Sequence, residues 1–487
     1  MLSSTNQRHL SLSILSWRQE LILQTKYHLY DCRIFTPDIK KLHHTMYRSK
    51  VLLQGVAHRG SDPFIDILIV GGGPVGSSTA YHLSKLRNNN GNGITVLESD
   101  PTYQSSSAMY SAGGIRQQFS LEENIRMSLY GRDFLRRAHK TLKSQAVPDV
   151  DVQFQEHGYL FLTSSESGVL QMTENHQTQR QAGCTTTRLL SPNQLKEKFP
   201  WLNTEDLLLG SFGTTGEGWF DPWAYIQGLK EKNKEMGVKY LHSTVAGSKR
   251  DLETKRILSV DIQEPNSRNF RTVFVNQMVN ATGAKANALM TMLAGGGIDE
   301  LRYPLPVKPR KRCIFFFHCA QSPNDIVPNI SPLIVDTSLV YFRSEGSQPG
   351  SGNFLCGVSP HSDQDSDCWS KEELEHADHS LFDETIWPAL FHRVPAFGNI
   401  KVISSWAGLY EYNTVDQNAI IDFHPELQNV LMVNGFSGHG LQHSPAAGRA
   451  AAELLENENK FRTLDLKAFR FDRFMEGGTP IYEKGIV

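Results

Sequence analysis

The chain has 487 residues, a net charge of −2 and 39% hydrophobic residues, a composition typical of soluble globular proteins with two or three domains. It has no uninterrupted apolar run long enough to span a membrane, and nothing in it indicates nucleic-acid binding. Six scattered cysteines lack Cys-x-x-Cys or zinc-ligand spacing, so we expect free thiols in a reducing compartment and no metal site.

The first sixty residues differ in charge from the rest of the chain. Residues 1–60 contain nine Lys or Arg and three acidic residues, a net charge of +6 that leaves −8 for the remainder. A basic leader with Leu and Ser ahead of an acidic body resembles a mitochondrial presequence. We therefore predict a presequence and disordered leader at 1–60 and a mitochondrial matrix location, either free or peripheral to the inner membrane. The alternative is a disordered N-terminus without a targeting role, which Glu20 and Asp31 favour.

A glycine-rich turn follows the apolar segment 64–70, which is predicted to be a buried strand. Its glycines have G-x-G-x-x-G spacing, a helix is predicted directly after them, and Pro74 falls in the first turn of that helix. A second strand at 94–97 ends on a glutamate, placed to accept hydrogen bonds from a ribose. This unit predicts a dinucleotide site, NAD or FAD, and a structural glycine turn is the alternative. The residues assigned to the cofactor here are Gly71, Gly73, Pro74, Val75, Gly76 and Glu98.

Further strands and small-residue turns follow along the chain. A loop with Ser106 and Ser107 can lie against phosphate or ribityl oxygens, although ordinary loop serines are the alternative. Helices are predicted around 121–141 and 168–182, and strands at 158–162, 237–241 and 272–275. Another apolar strand ends on a turn with Ala281 and Gly283, which can meet the same ligand. The basic stretch 309–312 is predicted to be a solvated strand entry.

A second glycine turn lies far along the chain. It follows a predicted strand at 429–434 and precedes a predicted helix at 445–455. The N-terminus of that helix can stabilise negative charge that develops during a reaction. Reduced flavin carries such charge and a nicotinamide ring does not, so the turn favours FAD, with a packing turn as the alternative. The residues assigned here are Gly438, His439, Gly440 and Leu441.

These segments predict an α/β fold in which a Rossmann-like FAD-binding domain is interleaved with a mixed, antiparallel-rich β-sheet substrate domain. The FAD-binding domain is assigned to 61–150, 210–300 and 400–460. The substrate or cap domain is assigned to 151–209 and 301–399, and a C-terminal tail to 461–487. A pocket is expected where the two domains meet.

Together the two glycine turns, Glu98 and the turn at 281–283 resemble the FAD-dependent D-amino-acid oxidase superfamily, in its sarcosine oxidase and glycine oxidase branch, over about residues 62 to 470. The resemblance implies FAD and a small amine or N-methyl amino acid substrate. It adds Val245, Gly408 and Gln442 to the cofactor residues. Within the family the likeness to a mitochondrial member implies a role in assembly of respiratory complex I, with its subunits or assembly factors as partners.

Some family positions carry different residues here. Leu409 occupies the position of the cysteine that anchors flavin in monomeric sarcosine oxidases, which implies non-covalent FAD. Leu355 and Gln442 stand where lysines occur, and Tyr410 stands where glycine oxidase has a substrate-clamping arginine. Loss of these cations argues against a fast amino-acid oxidase. Two hypotheses stay open: a dehydrogenase-like amine oxidoreductase, and a non-catalytic assembly protein stabilised by flavin.

Four side chains are candidates for the reaction itself. His439 is a candidate general base, with a hydrogen-bonding role in the glycine turn as the alternative. Tyr341 and Arg343 are candidates for the substrate face, against a half-buried strand with one solvated charge. Tyr410 is a candidate for the pocket wall, against ordinary aromatic packing.

Overall fold

The computed structural model describes residues 63–296, 301–320, 331–346, 352–360, 365–370 and 372–484. The predicted leader at 1–60 lies outside these residues. Within the described ranges, no helix has the length and apolar character needed to cross a membrane. The α-helices, here numbered along the chain, are α1 Pro74–Leu86, α2 Glu122–Arg136, α3 Ala138–Thr141, α4 Glu166–Gln181, α5 Pro192–Lys198, α6 Pro222–Glu235, α7 Ala286–Ala294, α8 His379–Leu381, α9 Trp387–Arg393 and α10 Gly440–Glu456.

The strands form two large sheets and one small two-stranded sheet. In chain order they are β1 Phe64–Val70, β2 Ile94–Glu98, β3 Gly114–Ile115, β4 Tyr159–Thr163, β5 Thr187–Leu190, β6 Leu209–Gly213, β7 Gly218–Trp219, β8 Lys239–His242, β9 Thr244–Asp251, β10 Arg256–Gln263, β11 Phe270–Asn280, β12 Val307–Cys319, β13 Leu333–Val335, β14 Val340–Ser344, β15 Asn353–Val358, β16 Ile400–Asn413, β17 Ile420–His424 and β18 Leu427–Asn434.

The first large sheet has a parallel centre, as expected for a Rossmann-like domain. Its order is β17-β18-β11-β1-β2-β8, and β1 pairs in parallel with β2 and β11. Strand β1 is apolar almost throughout because helices or strands cover both its faces. The predicted strands at 64–70 and 94–97 are confirmed. The strand predicted at 272–275 and the one predicted to end on the turn with Ala281 and Gly283 are one continuous strand, β11. Its two edges pair with β1 on one side and with β10 and β18 on the other.

The second large sheet is mixed and mostly antiparallel, which agrees with the predicted fold class. Its order is β16-β12-β15-β14-β13-β4-β6-β5, and β13 with β4 is its parallel pair. The domain limits stay a prediction, but strand pairing differs from them in two places. Both β6 and β16 lie in this second sheet, although we placed most of β6 and all of β16 in the FAD-binding domain.

Helices α1 and α10 pack on one face of the first sheet. Gly448 of α10 packs so closely on α1 that an added Cβ would lie 2.4 Å from the hydroxyl of Ser78. Helix α10 begins at Gly440, five residues before the predicted start, and so contains Pro445. Proline cannot donate to the carbonyl of Leu441, and the Ser444 hydroxyl donates to it instead at 2.8 Å. This substitute bond explains how the helix continues through the proline.

Candidate functional site

The first glycine turn joins β1 to α1, and its three motif glycines are needed for different reasons. Gly71 has a φ of +99°, and an added Cβ would lie 2.3 Å from the carbonyl oxygen of Ala281. A Cβ on Gly76 would lie 1.9 Å from the carbonyl oxygen of Gly71, which a closed turn cannot accommodate. Around Gly73 nothing lies within 4 Å of the Cβ position. Gly71 and Gly76 therefore close the turn, whereas Gly73 leaves open space for a ligand.

The helices that begin at this turn and at the second glycine turn have no side-chain cap. Neither α1, preceded by Gly73, nor α10, preceded by His439, receives a capping hydrogen bond or has an acidic residue in its first turn. Helices α5 and α6, in contrast, are capped by Ser191 and Asp221. The first N–H groups of α1 and α10, and the positive ends of their dipoles, are arranged to receive an anionic ligand.

Glu98 ends β2 beside the first turn. Its Oε2 accepts a hydrogen bond from the Gly72 amide at 2.8 Å, and its Oε1 accepts one from the Asp100 amide at 2.8 Å. Asp100 in turn accepts bonds from Thr102 and Ser105 that outweigh the effect of its burial and hold its pKa at about 2. The carboxylate of Asp100 thereby fixes the serine loop at the cavity wall.

These features surround one cavity of about 510 Å³. Both large sheets contribute residues to its wall. The predicted pocket between two domains stays a prediction, as do the domain limits. Every residue that we assigned to the cofactor lines this cavity except Gly76, which closes the turn behind it. The lining cofactor residues are Gly71, Gly73, Pro74, Val75, Glu98, Ser106, Ser107, Val245, Ala281, Gly283, Gly408, Gly438, His439, Gly440, Leu441 and Gln442.

Three of the four candidate reaction residues also line the cavity: Tyr341, Tyr410 and His439. The Tyr410 hydroxyl lies against the second turn, since an added Cβ on Gly438 would be 1.8 Å from it. Arg343 is not at the cavity wall. Its guanidinium is buried, donates to the carbonyl oxygens of Ala112 and Ser344, and lies 5.0 Å from the centre of the Trp219 ring. The structure therefore does not place Arg343 at a substrate face.

The sequence analysis missed Arg116, which lines the cavity directly after β3. Its amide donates to the Gln442 side chain at 2.8 Å, and its Nη2 lies 2.9 Å from Nε2 of His439. The guanidinium lies 4.7 Å from the centre of the Phe119 ring. The signal was an arginine two residues after the pair Gly113 and Gly114, but a single arginine is weak evidence without the fold.

A second arginine, Arg312 on β12, also lines the cavity. It makes two bonds with Asp365, at 2.7 and 2.8 Å, and its guanidinium lies 4.5 Å from the centre of the Tyr410 ring. Its side chain is only 14% exposed, so the predicted solvated strand entry is wrong for this residue. The described part of the cavity wall therefore has two guanidinium groups, those of Arg116 and Arg312.

Two carboxyl groups in this region have raised pKa values. Glu411 lines the cavity and accepts a hydrogen bond from the Gly435 amide at 3.1 Å, and burial raises its pKa to about 8. Glu217 lies behind the cavity wall, where burial raises its pKa to about 7 despite bonds from the Gln118 side chain and the Gln117 amide, both 2.8 Å long. These bonds fix the backbone that carries Arg116.

Comparison with known proteins identifies the family. The model of the family described as FAD dependent oxidoreductase matches residues 66–454. The chain belongs to this family. It is 43% identical over 437 residues to FAD-dependent oxidoreductase domain-containing protein 1 of Xenopus laevis, covering 87% of this chain and 85% of that protein. The protein of the same name in Bos taurus is 41% identical over 427 residues, covering 85% of each.

A similar solved structure is that of L-proline dehydrogenase from P. horikoshii, with a TM-score of 0.68 and 25% identity, covering 85% of this chain and 98% of that one. FAD is the cofactor of this family, and the cavity fits it. Two uncapped helix N-termini, the open space at Gly73 and the fixed carboxylate of Glu98 are what a dinucleotide with a pyrophosphate needs.

The sequence analysis named four positions at which this chain carries a different residue from its relatives. Three of them line the cavity: Leu409, Tyr410 and Gln442. The fourth, Leu355, is buried in β15 and does not line it. Cysteine side chains are missing from the described part of the cavity wall: the five described cysteines, Cys184, Cys313, Cys319, Cys356 and Cys368, are all buried elsewhere. Non-covalent attachment of FAD stays a prediction that agrees with this arrangement.

Proposed function

We propose that this protein uses FAD to oxidise a C–N bond of a small amine that carries a carboxylate, such as an N-methyl amino acid. The observation that supports this most is Arg116 at the wall of a cavity that the tyrosines Tyr341 and Tyr410 also line. Guanidinium groups and phenols are the usual protein partners of a carboxylate. The similar structure from P. horikoshii is named as a dehydrogenase of L-proline, which is a secondary amine of this class.

The residues have separate roles in this proposal. Bound FAD would supply the chemistry by accepting a hydride from the C–H bond next to the amine nitrogen, whose lone pair then completes a C=N bond. Arg116 binds and orients the carboxylate. A guanidinium only donates, so the contact between Arg116 and His439 occupies the lone pair of the His439 Nε2. His439 is therefore a positioning residue for Arg116 in this proposal and not a base acting through Nε2.

Anaerobic mixing of the purified flavoprotein with proline and a panel of N-methyl amino acids tests the proposal. We expect at least one of these to bleach the oxidised flavin bands. Replacing Arg116 with methionine should raise the concentration needed for half-maximal bleaching by about ten- to a hundredfold, since a charge-assisted bond contributes about 1.5–3 kcal/mol. The control Arg343→Met removes an arginine that does not line the cavity. If no amine bleaches the wild-type flavin, the enzyme proposal is wrong.

We further propose that the protein works in the mitochondrial matrix and supports assembly of respiratory complex I. The net charge of +6 on residues 1–60 and the likeness to a mitochondrial family member support this location and role. A non-catalytic form of this role is favoured by the leucine, glutamine and tyrosine at the family's cationic positions. Cells that lack the protein should lose assembled complex I.

Complementation of cells that lack the protein distinguishes a catalytic from a non-catalytic role in assembly of complex I. The Arg116→Met variant should keep FAD but lose substrate binding. If it restores complex I as well as wild type does, the assembly role is independent of amine oxidation. If it fails while holding FAD, amine oxidation is needed for assembly.

Protease protection of the tagged full chain in isolated mitochondria tests the location, and a chain with residues 1–60 deleted is the control. A chain that is imported equally well without residues 1–60 contradicts the presequence.

A further inference from the structure

A short segment, residues 365–370, lies along the part of β12 that precedes its pairing with β15. The Cys368 amide donates to the Pro309 carbonyl oxygen at 2.9 Å, and Asp367 forms a β-bridge with Arg310. Two aspartates attach this segment to β12 through ion pairs. Asp367 pairs with Lys308 at 2.9 Å and with Arg310 at 3.2 Å. Asp365 pairs with Arg312.

The two ion-pair sites differ in what they face. Arg312 lines the cavity, whereas Lys308 and Arg310 do not. The pair of Arg312 and Asp365 is also the better shielded one, with side chains 14% and 8% exposed and two bonds of 2.7 and 2.8 Å. Bonds of this bidentate kind are strong and fix the guanidinium plane. Asp365, which does not line the cavity, therefore neutralises the charge of Arg312, which does.

We propose that Asp365 makes the cavity selective for amines with one carboxylate over those with two. This rests on the proposed amine oxidation. A substrate's single carboxylate binds at Arg116. A second carboxylate at Arg312 has to approach the negative charge of Asp365 or displace it. Displacement leaves a shielded aspartate without its partner, which is unfavourable. The substrate class is thus a monocarboxylic secondary or N-methyl amine.

Non-oxidisable ligands of matched shape test this on the oxidised holoprotein. Pyrrole-2-carboxylate has one carboxylate and pyrrole-2,5-dicarboxylate has two, and their binding is followed by the shift they cause in the flavin absorbance bands. We expect wild type to prefer the monocarboxylate by about tenfold or more. Asp365→Asn should tighten binding of the dicarboxylate about tenfold and change that of the monocarboxylate much less.

Two further variants separate charge from attachment of the segment. Asp365→Glu keeps the charge and should keep the wild-type preference. Asp367→Asn removes a charge from the same segment at arginine and lysine side chains outside the cavity, so it should also keep that preference. An equal shift in Asp367→Asn, or weaker binding of both ligands by Asp365→Asn, overturns the selectivity proposal.

The outcome also distinguishes this inference from the proposed function. If amines bleach the flavin and Asp365→Asn keeps the wild-type preference between the two ligands, only the role of Asp365 is wrong. If neither pyrrole ligand shifts the flavin bands of any variant and no amine bleaches them, the carboxylate-binding cavity itself is wrong, and both proposals fail together.

Discussion

At the scale of single residues, a side chain at Gly73 should harm ligand binding and leave the fold intact. The Cβ position of Gly73 faces open space in the cavity, so valine there fits the protein but occupies the place of the cofactor. We expect Gly73→Val to lower FAD affinity more than tenfold, equivalent to at least about 1.4 kcal/mol. Equilibrium dialysis measures the affinity. Retained affinity would contradict the placement of FAD against this turn.

Gly76 provides the opposite case. A Cβ there would lie 1.9 Å from the Gly71 carbonyl oxygen, so even alanine forces the turn apart. Gly76→Ala should lower the free energy of unfolding by more than about 3 kcal/mol, the range of severe backbone and packing defects. Urea denaturation of the FAD-free protein measures it, with Gly73→Val as the matched control. Equal stability of the two variants would show that the turn is not closed as described.

Glu411 should make stability depend on pH. Its pKa is raised by burial from 4.5 to about 8 in the folded chain. As pH rises through this window the unfolded chain releases the proton and the folded chain keeps it, so the stability that Glu411 contributes declines until about pH 8. Glu411→Gln cannot titrate. The melting temperature of FAD-free Glu411→Gln, relative to that of wild type, should therefore rise steadily from pH 4.5 to pH 8, and a constant difference would contradict a carboxyl that stays neutral in the folded chain.

Residues at the cavity differ in how far sequence could reveal them. The glycines and Glu98 were predictable because their function depends on local spacing within one strand-turn-helix-strand unit. Arg116 and Arg312 were not, because their position depends on pairing between segments far apart in the chain. Arg312 is brought to the cavity by β12 and shielded by Asp365 from a separate segment. Its short basic stretch resembled a solvated one for that reason.

At the scale of elements, the C-terminal segment stabilises the fold more than a tail would. Arg473 is buried and pairs with Asp416, which is also buried, at 2.6 Å. Arg473→Met leaves Asp416 without its partner and should lower the free energy of unfolding by about 3–5 kcal/mol. The control Arg302→Met removes an exposed pair with Glu476 and should cost less than about 1 kcal/mol. Urea denaturation measures the free energy of unfolding of both variants. Similar losses in the two variants would contradict stabilisation of the fold by the C-terminal segment.

Elements were predictable where the pattern within the segment decides their structure. Buried apolar β1 and amphipathic α2 are such cases. The early start of α10 was missed because the Ser444 hydroxyl replaces the bond that Pro445 cannot make. The sheet of β16 was missed because its partner, β12, comes almost a hundred residues earlier in the chain, and pairing over that distance has no local signature.

At the scale of the whole molecule, the cavity lies between two sheets that each pack mainly on a hydrophobic cluster of their own. One hydrophobic cluster packs around β1, β18 and α10, and another packs around β12, β15 and β4. The cavity wall takes Val70 and Val433 from the first sheet and Tyr159 and Tyr341 from the second. A ligand that fills this cavity contacts both sheets and should hold them together.

FAD should therefore stabilise both sheets at once and leave the chain when it unfolds. At a free concentration one hundred times its dissociation constant, FAD adds about 2.7 kcal/mol to the free energy of unfolding. Hydrogen exchange should slow in β1 and also in β12 and β16, since opening either sheet releases the ligand. Protection confined to the first sheet would place FAD outside the shared cavity.

Because no described cysteine lines that cavity, acid precipitation should release the yellow cofactor into the filtrate. Flavin that stays with the precipitated chain would show a covalent link and contradict the assignment drawn from Leu409.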